Sequence, residues 1–177
     1  MQANAENAKK LADTRLNKKL LSLGLRLLLI ALMLLVLFGV VFGLKRMDNL
    51  TMQPSVTEGD LLLYYRLARD YNVGDVVVAH MNGRDIVLRI VAKAGQKVDI
   101  TDEGKVLVDD YPENLEPFYL TKLPEEGGIK FPYTVPAGQV FLMGDYRETT
   151  EDSRQFGSVH TNDLRGKLMG RFQVRNF

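Results

Sequence analysis

The sequence predicts a mainly β protein, one antiparallel β-sheet domain carried on a single N-terminal transmembrane helix. Two observations lead there. Leu27–Leu44 is a run of eighteen residues without a charge, and as a helix it spans about 27 Å, close to the roughly 30 Å hydrocarbon core of a bilayer. After it come short apolar segments of strand length, separated by Gly, Pro, Asn and Asp, with few stretches of helical period.

The apolar run has no polar face, which a buried core helix of a soluble domain would show. Lys9, Lys10, Arg15, Lys18, Lys19 and Arg26 precede it, whereas only Lys45 and Arg46 follow closely. This excess of basic residues puts the N-terminus in the cytoplasm. The exit, Phe42-Gly43-Leu44-Lys45-Arg46, lacks the small residues of a leader cleavage site, so the segment is expected to remain as an anchor. The division is then a cytoplasmic tail over 1–19, an anchor over 20–44 and an extracellular domain over 45–177. The protein is expected to be a single-pass protein of the cell membrane, with lipid as one of its partners.

Beyond the anchor, Pro54 breaks any helix in 47–55. Leu61–Tyr65 reads as a strand, followed by Val76–His80 and Ile86–Val91 around Asn82-Gly83, the strongest short hairpin signal. Val98–Ile100 and Val106–Val108 flank Asp102-Glu103-Gly104 as a second hairpin. Residues 111–132, rich in Pro, Glu and Gly, read as a connecting excursion. The turn at 135–138 leads into a strand over Gln139–Met143, and 164–174 supplies the last.

Composition excludes several functions. With no cysteine there is no disulfide, thiol nucleophile or thiolate metal site. Two histidines, His80 and His160, are too few for a histidine metal site, and no Asp-rich calcium loop is present. No cofactor is implied. A net charge of +1 gives no reason to expect nucleic acid. His80 is expected at a strand end and His160 in a surface loop, neither with a role.

Four segments, in order, resemble the type I signal peptidases. Thr51-Met52-Gln53-Pro54-Ser55 follows the anchor where that family carries Ser-Met-x-Pro-Thr. Gly74–Val78 is similar to Gly-Asp-Ile-Val-Val, and Asp85–Gly95 to Asp-Tyr-Ile-Lys-Arg-Val-Ile-Gly-Leu-Pro-Gly. Met143-Gly144-Asp145-Tyr146-Arg147, then Asp152-Ser153-Arg154 and Gly157, resembles Met-Gly-Asp-Asn-Arg…Asp-Ser-Arg…Gly. The short stretch before the fourth segment is similar to the compact Gram-positive versions. The resemblance implies an antiparallel β domain of the signal peptidase type, which cuts signal peptides with a serine nucleophile and a lysine general base.

On that resemblance the nucleophile position is Thr51 and the base position is Leu88. A hydroxyl needs a base within hydrogen-bond reach, and leucine accepts no proton. Lys93 and Arg89 fall on the opposite face of the strand from Leu88 unless a bulge intervenes. Asp48 is a possible substitute base, and Thr150 stands where family members often have a serine orienting the lysine. Gly144, Asp145, Arg147, Asp152 and Arg154 remain as structural residues, with either acid able to pair with either arginine. The family groove takes an extended peptide as an added strand, and Met52, Pro54, Leu61, Leu63 and Val87 are its expected walls here.

Three functions follow. The first is a non-catalytic binder of exported protein precursors. The chain resembles the signal-peptidase-like proteins of streptococcal pilus operons, which implies pilin subunits as partners, held near a sortase, and a role in pilus assembly. The second is an active peptidase using Thr51 with Asp48, Lys93 or a partner's base. The third is a structural subunit whose groove is vestigial.

Overall fold

Asn82 and Gly83 both take positive φ, 51° and 77°, the pair of left-handed residues that a tight hairpin turn requires. They join strand β3 (Val76–Met81) to β4 (Arg84–Lys93), the longest strand of the protein. The structure, a computed structural model, describes residues 2–113, 120–124, 127–148 and 151–173. Its chain divides into two units, 1–41 and 42–177.

The first unit is helix α1 (Gln2–Val36) followed by one π-helical stretch, Leu37–Val41. Arg15–Val41 is long and apolar enough to cross a membrane, and its large apolar side chains stand exposed. Exposed leucines over seven turns are costly in water and favourable in lipid.

The second unit is built from antiparallel strands throughout. The further strands are β1 (Phe42–Arg46), β2 (Leu61–Tyr65), β5 (Lys97–Ile100), β6 (Val106–Val108), β7 (Tyr111–Pro112), β8 (Tyr133–Thr134), β9 (Gln139–Met143), β10 (Val159–His160) and β11 (Leu164–Phe172). One turn of helix, α2 (Ser153–Phe156), lies between β9 and β10. The larger sheet runs β1-β2-β11-β3-β4-β9-β10, the smaller β7-β6-β5-β8. Strands expected from apolar runs and turn residues are therefore present. Phe42-Gly43-Leu44, whose hydropathy continues that of the span, instead opens the first strand and pairs with Leu63–Tyr65. His80 is the penultimate residue of β3, and His160 is exposed but belongs to β10 rather than to a loop.

β4 feeds three buried clusters. Leu88 and Ile90 pack with Val77, Ala79, Val140 and Leu142. Val87, on the other side, packs with Met47, Met52, Val56, Leu62, Tyr64 and Val78. Between Ile90 and Ala92 the register with β9 shifts, and a bulge of this kind turns the following side chains over. Val91 and Ala92 accordingly join Val98, Val106, Phe141 and Met143 against the smaller sheet.

Candidate functional site

The segment 47–60 leaves the sheet edge and is pinned at both ends. Met47 N–H donates to Asp60 O at 2.8 Å, and Gly59 N–H returns to Met47 O at 2.9 Å. The buried Asp60 carboxylate accepts from the N–H and hydroxyl of Thr57, both at 3.0 Å. Met47, Met52 and Val56 are driven into the core, so the residues between them are presented outward. Thr51 lies in that stretch. Its carbonyl accepts from Tyr146 N–H at 3.0 Å, while its own N–H and hydroxyl donate to Asn49 Oδ1 at 3.2 and 2.7 Å.

Thr51 and Leu88 line one cleft of about 380 Å³. Asp48, Asn49 and Lys45 form the wall from the loop and β1, and Arg84, Asp85 and Ile86 the wall from β4, with Glu151 beside them. Arg84 Nη2 and Glu151 Oε2 are 2.6 Å apart. Leu88 is 1% exposed, its side chain taken up by the core beneath the cleft. Along one edge, β4 pairs with β3 from Arg84 to Arg89; along the other, β9 joins only from Arg89 onward. Among the described residues, no strand covers that second edge of β4 over 84–88.

Thr150 apart, the residues singled out in the sequence lie among the described residues. Asp48 is in the cleft, but its side chain is 70% exposed and Asn49 stands between it and Thr51, with Asn49 Nδ2 donating to Asp48 Oδ1 at 3.2 Å. Thr150 lies outside the described residues. Lys93 does share a face with Leu88, because the bulge in β4 sets it opposite Val140 of the same cluster. It lies at the far end of the strand, however, with Nζ 3.4 Å from Asn72 Oδ1 and lining another pocket. Arg89 points the other way, to Asp145. The expected groove walls lie elsewhere: Met52 and Val87 are core residues, Pro54 is exposed, and Leu61 and Leu63 sit on β2 between β1 and β11. The burial of Met52 and Val87 is what holds the Thr51 segment against the sheet.

The motif residues build a scaffold beside the cleft. Asp152 caps α2, accepting from Arg154 N–H at 3.1 Å, and its carboxylate takes Arg154 Nε and Nη2, both at 2.8 Å. Gly144 N–H donates to the same carboxylate at 3.1 Å. Asp145 pairs with neither Arg147 nor Arg154 but with Arg89 of the third segment, through bonds of 2.8 and 2.5 Å. That contact raises the Arg89 guanidinium further above its already high range. Arg147 Nε donates to Gly144 O at 2.8 Å while its fork reaches Glu113. Arg154 Nη1 donates to Lys122 O and Arg147 O, both at 2.6 Å. Both arginines thus bind the excursion to β9.

Sequence reasoning missed Asn49, Lys45, Arg84, Asp85 and Glu151. Only Asn49 carries a local signal, since an Asn two residues before a Thr is placed to accept that residue's N–H in an Asx turn. Lys45 Nζ is 3.9 Å from Asp48 Oδ2. Asp85 Oδ1 accepts from His80 Nδ1 across the β3–β4 pair at 2.6 Å. Among the described residues, no group of three His, Cys, Asp or Glu side chains is placed to hold a metal ion.

Comparison with known proteins assigns the scaffold. A probable signal peptidase I-1 from Synechocystis is 30% identical over 161 residues, covering 82% of this chain and 79% of that one. The signal peptidase I of Bacillus caldolyticus is 28% identical, covering 75% and 80%. An inactive signal peptidase IA of Staphylococcus aureus is 26% identical, covering 70% and 75%. A crystal structure of a signal peptidase I from Enterococcus faecalis superposes with a TM-score of 0.47 at 21% identity, over 57% of this chain and 98% of that one. The profile of the signal peptidase family, peptidase S26, matches residues 20–173, so the chain belongs to that family.

Proposed function

We propose that this protein is a membrane-anchored, non-cleaving signal peptidase relative that binds exported protein precursors in the Thr51–Leu88 cleft. The observation that carries the reading is Leu88. The family lysine falls at this position, and the side chain here has no proton-accepting atom and is buried beneath the cleft. A hydroxyl without a base is a poor nucleophile. The open edge of β4 over 84–88 is what a peptide needs to add as a strand, and that mode of recognition does not require a lysine. The clients are pilin precursors held near a sortase, and the N-terminus is cytoplasmic.

The same reading assigns lipid to the outward face of β1, β2 and β11. Leu44, Leu63, Leu61 and Phe172 share that face with Arg46, and Leu44 and Phe172 remain 52% and 56% exposed. Apolar and basic side chains together on one face are favourable at a headgroup interface.

The experiment is capture of pilin precursors by the full-length protein in detergent, compared with an Arg84→Glu, Asp85→Lys variant. Enrichment over the variant supports the reading, and equal recovery overturns it. A second reading, peptidase activity from Thr51, is favoured by Lys45, an amine in the same cleft. Turnover of a signal-peptide substrate that Thr51→Val abolishes would establish it in place of the first.

A further inference from the structure

We infer that Asn49 is a resident stand-in for a client's peptide carbonyl, and so sets the affinity of the cleft. The inference rests on the cleft being a peptide site. Its geometry is specific: two donors of Thr51, the backbone N–H and the hydroxyl, converge on the single atom Asn49 Oδ1. An oxygen that receives a backbone N–H must be the carbonyl end of the amide. The other end, Nδ2, donates to Asp48 Oδ1 at 3.2 Å, which keeps the amide from flipping. The asparagine side chain is chemically a primary amide, so Thr51 holds the same group that an incoming peptide bond would present.

These two donors are the ones that a bound carbonyl would need. In acyl-transfer sites the nucleophile's own N–H is part of the donor set that receives the carbonyl oxygen. Here Asn49 satisfies it beforehand, so a client gains those bonds only by displacing an amide that already makes them. A bond exchanged for an equal bond adds nothing to affinity. Asn49 is therefore a positioning residue acting through Thr51, and binding must draw on the β4 edge and the charged walls.

The test uses the full-length protein in detergent micelles with a fluorescein-labelled, uncleaved signal peptide, read by anisotropy, and hydrogen exchange of the Thr51 amide, read by NMR. Asn49→Ala should speed Thr51 exchange and tighten peptide binding roughly tenfold, the equivalent of about one net hydrogen bond. Asn49→Asp keeps an acceptor for both Thr51 donors but loses the Nδ2 bond to Asp48, so it should keep Thr51 exchange slow and fail to tighten peptide binding as Asn49→Ala does. A merely structural asparagine would give faster exchange with unchanged or weaker binding, and that result overturns the inference, as does unchanged exchange in Asn49→Ala. Peptide binding by none of the three proteins overturns the peptide reading and the inference together. Parent binding that Asn49→Ala does not improve overturns the inference alone.

Discussion

Arg147 grips Glu113 through two hydrogen bonds, 2.5 and 3.1 Å long, with both side chains almost wholly out of water. Arg147 also reaches Thr121 Oγ1 at 3.4 Å, so one guanidinium gathers the two ends of the stretch between them. Removing one partner leaves a buried charge uncompensated, which costs about 3–5 kcal/mol. Arg147→Met should lower the unfolding free energy by that order, read from denaturant titration, and Arg147→Met with Glu113→Leu should recover a large share. Additive losses in the double variant would show that the two side chains stabilise independently.

β11 offers a test of close packing in a single strand. At Gly166, with φ of 156°, an added Cβ would lie 2.3 Å from the Tyr65 carbonyl oxygen, a backbone atom that cannot step aside. At Gly170 a Cβ would meet nothing within 4 Å. Gly166→Ala should therefore cost roughly 1–3 kcal/mol by forcing β11 away from β2, whereas Gly170→Ala should stay within about 0.5 kcal/mol of the parent. Thermal unfolding of both variants decides it, and equal midpoints would contradict the packing described.

The contrast between local and distant signals explains what could be read in advance. Leu61–Tyr65, Gln139–Met143 and the Asn82-Gly83 turn announce themselves because hydrophobic runs and left-handed residues act over a few positions. Phe42–Leu44 did not, since three residues that pair in a sheet have the same hydropathy as the end of a span. The bulge that brings Lys93 to the face of Leu88 has no composition signature. Arg89 meets Asp145 across 56 positions and Arg147 meets Glu113 across 34, so only the fold chooses those partners. Thr51 and Leu88, far apart in sequence, were associated by motif resemblance, and the cleft is where they meet. Asn49, which decides what Thr51 donates to, required coordinates.

Acid should loosen the hairpin of the smaller sheet through Asp109. Its carboxylate accepts from Lys97 N–H at 2.8 Å and from Gln96 Nε2 at 3.1 Å. Those donors favour the ionised form and hold its pKa below the ordinary 3.8. The unfolded chain keeps the ordinary value, so the stabilisation is complete above about pH 4 and is lost as pH falls through the lower folded value. Asp109→Asn lacks this dependence, and the stability gap between parent and variant should close below about pH 4. The carboxylate is exposed, so the effect is small and fades with salt. Parallel pH curves for the two proteins would contradict the assignment.

The outward face of β1, β2 and β11 can be tested against lipid directly, because the chain contains no tryptophan and a single introduced one reports alone. Phe172 and Leu44 lie on that face, whereas Val73, 47% exposed, lines a separate cavity with Tyr111 and Pro112. In nanodiscs of mixed anionic lipid, Phe172→Trp and Leu44→Trp should be quenched by brominated acyl chains and emit further to the blue than Val73→Trp. An indole at the interface of a bilayer is both desolvated and within reach of the acyl chains. Replacing Arg46 with glutamate should weaken quenching at Phe172, its neighbour across β2, by repelling the anionic headgroups. Equal quenching at all three positions, or none at any, would mean that this face meets something other than lipid.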